Sequence, residues 1–128
     1  MKRICFLVFV LFMLYGCQSQ DKEPLVFKGK SENWSVEEIV KPNDKGNEES
    51  KTIKLKYIGD DMKSVGEFDF KLDTPNGQWG MGIIELDKKG RFKETNKTIV
   101  SRETLKSDKP TVTIKWNSNS EDIPLKNQ

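Results

Sequence analysis

Several stretches of this chain alternate apolar and polar residues with a strict period of two, and that period decides what the chain can build. In Thr52–Ile58, Ile53, Leu55 and Tyr57 fall on one side and Lys54 and Lys56 on the other. In Val65–Asp73, Phe68, Phe70 and Leu72 oppose Glu67, Asp69 and Lys71. In Thr111–Asn117, Val112, Ile114 and Trp116 oppose Thr111, Thr113 and Lys115. Residues two apart share one face of a strand, so each run reads as a half-buried β-strand. A sheet with one apolar face buries it against a second layer.

The remaining segments are shorter. Leu25–Gly29 is a strand candidate, as is Ser31–Glu37, where Trp34 and Val36 alternate with polar residues. The apolar phase then slips to Ile39, which suggests a bulge or the end of pairing. Pro42–Lys51 is polar throughout and reads as a loop. Thr52–Ile58 followed by Val65–Asp73 implies an antiparallel meander in which Lys54 and Lys56 face Glu67, Asp69 and Asp73. Thr74–Gln78 carries the strongest turn signal, Gly82–Leu86 is an apolar strand, and Asp87–Gly90 closes a second hairpin. Arg91–Lys93 and Lys97–Ser101 are weaker strands, and Asp122–Lys126 is an edge strand because of Pro124. The expected fold is an all-β antiparallel β-sandwich of about seven strands, with Trp34 and Trp116 filling its middle; an up-and-down barrel is the alternative.

The N-terminus has a different grammar. Lys2 and Arg3 precede an apolar run, Ile4–Leu14, that ends in Leu14-Tyr15-Gly16-Cys17. The run is short of the ~20 apolar residues a membrane span needs and fits a secretory signal. The closing tetrapeptide resembles the lipobox of bacterial lipoproteins. That resemblance implies cleavage between Gly16 and Cys17 and lipid attachment to the Cys17 thiol. It implies a signal peptide over residues 1–16, a lipidated cysteine and tether over 17–24, and a domain over 25–128. It also implies a location on the extracytoplasmic face of the cell membrane, with the membrane itself a partner through the Cys17 anchor. Ser31-Glu32-Asn33-Trp34 is similar to a strand of small Gram-positive lipoproteins, and the strand–Trp116–Asn117–turn–strand ending resembles the close of Ig-like lipoprotein domains. Neither segment carries a residue role with it.

Composition narrows the chemistry. The formal charge of +2 rests on Lys2 and Arg3, so the chain after Gly16 is balanced. No run of like charge marks a nucleic-acid binder. Histidine is absent, and Cys5 leaves with the signal, so neither a Ser-His or Cys-His catalytic pair nor a histidine or cysteine metal site can form. Neighbouring residues of a strand point to opposite faces, so Glu37 and Glu38 cannot share a site. Glu48-Glu49 and Asp60-Asp61 read as solvated loop pairs. Asp44–Glu49 lacks the order of a calcium loop, and Gly80-Met81-Gly82 lacks the helix of a phosphate loop. The expectation is a non-enzyme with no catalytic residue, metal or cofactor.

Two functions fit these limits. One is a module that binds or scaffolds an envelope protein; the other is a small-molecule- or ion-binding accessory of a transporter. Trp79, beside the Thr74–Gln78 turn, is the candidate partner-binding residue. An exposed Trp79 with apolar surroundings favours a protein, and a concave polar pocket favours a small ligand.

Overall fold

The computed structural model describes residues 23–128; Gly16, Cys17 and the first part of the tether lie outside the described residues. Nine strands follow one another: β1 (Leu25–Lys30), β2 (Trp34–Pro42), β3 (Glu48–Tyr57), β4 (Phe68–Thr74), β5 (Gly77–Ile84), β6 (Arg91–Ile99), β7 (Thr111–Trp116), β8 (Asn119–Pro124) and β9 (Lys126–Asn127). They form two antiparallel sheets, one ordered β6-β3-β2-β1-β9 and the other β5-β4-β7-β8. The sandwich is therefore present. Its strand number exceeds the expected seven partly because the C-terminal segment breaks at Leu125. There β8 stays in the four-stranded sheet while β9 crosses to pair with β1. Leu125 is fully buried at the crossing and its N–H donates to the Pro110 carbonyl at 2.8 Å.

The alternating runs meet across the two layers. Phe27, Trp34, Val36, Ile53 and Leu55 line the inner face of the five-stranded sheet, opposite Phe68, Phe70, Leu72, Ile114 and Trp116. Trp34 is wholly buried at the centre. Its ring stands edge-on to Tyr57 at 5.3 Å and to Trp116 at 5.5 Å, and tilts against Phe68 at 5.3 Å. Such aromatic geometries add to the burial of the rings themselves.

Strand pairing departs from the expected meander. β3 and β4 lie in different sheets, because residues 58–67, with a short 3-10 turn at Met62–Ser64, carry the chain across the sandwich. Lys54 accordingly stands between Glu37 of β2 and Lys93 of β6, and Asp69 stands opposite Lys115 of β7. The Asp87–Gly90 turn likewise does not close a hairpin. It returns the chain to the five-stranded sheet, where β6 pairs along β3 as one continuous strand. Glu48–Lys51, expected in a loop, opens β3. A true hairpin joins β7 and β8 through Asn117 and Ser118, both left-handed, as a two-residue turn requires.

A carboxylate clips the layers together. Glu121 of β8 accepts hydrogen bonds from the Ser31 hydroxyl, from the Asn33 N–H at 3.0 Å and from the Asn33 side-chain amide at 2.6 Å. Burial pushes this carboxyl up, but the three donors outweigh it and hold it below the usual 4.5. Its contribution to stability is present above that value and is lost as pH falls through the lowered one. Glu121→Gln is expected to cost about 1–2 kcal/mol near neutral pH, allowing for screening by water, as read by urea unfolding.

Candidate binding surfaces

The outer face of the four-stranded sheet carries an open groove of about 490 Å³. Its floor is β5, where Gly80 and Gly82 present no side chains outward. Gly80 is obligatory, since a Cβ there would sit 2.5 Å from the Phe70 carbonyl oxygen of the neighbouring strand. Lys71 of β4, Gln78 of β5, and Thr113 and Lys115 of β7 form the walls, with Asp69 facing Lys115. Lys71 pairs with Asp73 at 3.6 Å, and the Thr113 hydroxyl bonds Asp122 at 2.7 Å. The walls thus offer both signs of charge over a flat backbone floor, a surface suited to a polar chain or ligand lying along β5.

One end of the groove is a bulge. Gly82 and Ile83 together oppose Asp69, between the pairs Phe68–Ile84 and Phe70–Met81. Ile83 has φ +56° and is 79% exposed. A β-branched residue rarely takes that conformation, and holding it there costs about 1–3 kcal/mol. The bulge interrupts the ladder of β5 before it resumes at Phe68–Ile84, and a distorted edge of this kind limits edge-to-edge association.

Trp79 borders this groove from the inner side. It is half-buried, and its ring meets Phe70 edge-on at 5.4 Å and 87°. The indole packs against the core and also lines the groove.

Sequence reasoning missed a second polar centre. Trp34, Val36, Glu38 and Val40 keep the two-residue period through β2 and all point inward. The slip to Ile39 is therefore not a bulge; it marks an acid placed in the core position. Glu38 is 1% exposed, and neither carboxylate oxygen has a hydrogen-bond partner. Burial pushes it up to about 7, against a downward pull from Lys51 and with further upward push from Glu49 and Asp108. Glu49, expected to be solvated, is also 1% exposed and accepts from the Thr104 N–H at 2.8 Å and the Thr104 hydroxyl at 2.7 Å. Lys51 reaches the Thr74 hydroxyl at 3.4 Å.

The segment between β6 and β7 covers this end. Arg102 pairs with Asp108 at 3.2 Å, Asp108 also accepts from the Leu105 N–H at 2.9 Å, and the Asn76 amide donates to the Arg102 carbonyl at 3.1 Å. A carboxyl with a pKa near neutrality is the kind of group that does acid–base work. Glu38 is sealed beneath the fold, so its consequence is for stability. Among the described residues, no group of acids is placed to hold a metal ion. No protein-family model, curated protein or solved structure matches the chain, so its surfaces are read from their own geometry.

Proposed function

We propose that this chain is a lipid-anchored, non-enzymatic binding or scaffolding module on the extracytoplasmic face of a bacterial membrane. The observation that carries the binding part is the groove over Gly80 and Gly82, walled by Lys71, Gln78, Thr113 and Lys115. It is concave and open along its length, its lining mixes these polar side chains with Phe70, Trp79 and Met81, and it lies on a sheet. An open trough suits an extended segment of an envelope partner better than a small molecule, which needs most of its surface enclosed. The groove's volume nevertheless falls in the range of small-ligand sites, and an accessory lipoprotein that carries a polar solute is the second reading.

Anchoring rests on the Leu14–Cys17 sequence. Stable attachment takes two signals, such as two acyl chains, each buried methylene contributing about 0.8 kcal/mol. Mass spectrometry of the membrane fraction should find an N-terminal peptide that begins at Cys17 and carries a diacylglyceryl group. Cys17→Ser should abolish both the lipid and the cleavage. A wild-type chain that retains Met1–Gly16, with an unmodified Cys17 thiol, contradicts the proposal. Binding is tested by placing a photo-crosslinking side chain at Gln78 in intact cells. A discrete protein adduct that Lys71→Glu with Lys115→Glu removes supports the module; absence of any adduct counts against the groove as its site.

A further inference from the structure

We propose that the outer face of the five-stranded sheet docks on an anionic phospholipid bilayer. Outward positions of β1 and β2 carry Lys28, Lys30 and Lys41. Those of β3 and β6 add Lys54, Lys56, Arg91, Lys93 and Lys97, all exposed. Lys126 of β9 sits beside Lys28. The acids on the same strand faces are Glu37 and Glu48. A chain whose charges balance overall after Gly16 has thus gathered cations on one sheet.

The register concentrates them further. Lys54 lies opposite Lys93, and Lys56 opposite Arg91, giving a block of four cations around a hollow whose lining holds two acids, Glu37 and Asp87. Like charges directly across a sheet are destabilising, so this arrangement works against the free domain and in favour of an anionic counter-surface. The other sheet differs: Asp69 faces Lys115, and Lys71 pairs with Asp73.

Three features favour a bilayer over a linear polyanion. The cations occupy the breadth of the sheet, strands lying about 4.8 Å apart, and do not follow one track. Ile99, 84% exposed, projects from the same face in register with Glu48 and supplies an apolar contact at headgroup level. The third rests on the proposed anchor: β1 belongs to this sheet and begins at Leu25, so a lipid on Cys17 is at most about 28 Å of extended chain away. One lipid signal joined to a polybasic face is a recognised way to hold a protein at a membrane.

The test labels lysines on the full chain with a water-soluble amine reagent. The protein is bound to vesicles of phosphatidylglycerol and phosphatidylcholine, or to phosphatidylcholine alone. On the anionic vesicles Lys54, Lys56 and Lys93 should react about fivefold more slowly or less, with recovery in about 1 M salt, where the screening length falls to about 3 Å. Lys71 and Lys115 should react alike on both vesicles. Lys54→Glu with Lys93→Glu should remove the protection remaining at Lys56. Equal reactivity of the two faces on anionic vesicles overturns the proposal. So does protection by soluble polyphosphate with none on vesicles, which assigns the face to a soluble polyanion. The same digests report the mass of the N-terminal peptide, so failure of the Cys17 anchor is read separately from failure of the face.

Discussion

Trp34→Ala is expected to remove about 3–5 kcal/mol of stability and leave the domain largely unfolded at 37 °C. The side chain is fully buried and touches Tyr57, Phe68 and Trp116, so it joins both sheets at their centre. A domain of this size has about 5–15 kcal/mol in total, and the cavity left by an indole takes a large share of it. Trp34→Phe separates packing from polarity. The indole N–H is buried without a hydrogen-bond partner, so phenylalanine keeps most of the ring and removes an unsatisfied donor. It should cost clearly less than Trp34→Ala, about 1–3 kcal/mol, because the cavity left by losing one ring of the indole is smaller. Urea unfolding followed by circular dichroism reads both variants. Equal losses from the two would mean that the ring is not packed as described.

Glu38→Gln should stabilise the domain in alkaline solution and flatten its pH dependence. In the folded chain the carboxyl titrates at about 7, against an ordinary 4.5. Between those values the folded state holds a proton that the unfolded state has released, so stability falls as pH rises through this window. The contribution is whole below about 4.5 and lost above about 7. The shift corresponds to roughly 3 kcal/mol. Glutamine mimics the protonated acid, so the variant should exceed wild type by about 2–3 kcal/mol at pH 8 and differ by less than about 1 kcal/mol at pH 4.5. Lys51 opposes the upward push on Glu38 by its charge, while the charges of Glu49 and Asp108 add to it. An unchanged slope in the variant would place the Glu38 carboxyl in contact with water.

Element type was legible in the sequence wherever large apolar residues held the two-residue period. Trp116, Ile114 and Val112 identify β7 without help from the rest of the chain. Partner choice was not legible. Nothing local tells β3 to pair with β6 and not with β4, because the decision rests on which apolar faces can meet across the sandwich. Glu38 was missed because an acid was assumed to face water, which forced a slip at Ile39 that the backbone does not make. Keeping the period from Trp34 to Val40 would have exposed the anomaly. The basic face was hidden for a related reason. Its lysines alternate with core residues in four separate strands, so no run of like charge appears along the chain. The close approach of Gly80 to the neighbouring strand, and the place of Gly82 in a bulge on the floor of a groove, depend on the pairing of β5 with β4 and have no local signature.

The return of β6 to the five-stranded sheet underlies both surfaces. It sets Lys93 beside Lys54 and Arg91 beside Lys56, and it leaves β5 as the free edge of the groove sheet. Backbone proton contacts in a nuclear Overhauser experiment measure that pairing directly. Contacts should link Thr52 with Thr95, whose hydroxyls lie 2.9 Å apart, as well as Lys54 with Lys93. Contacts that instead join Thr52–Lys56 to Phe68–Thr74 would describe a meander or a barrel, and would contradict both the basic face and the sandwich that builds it.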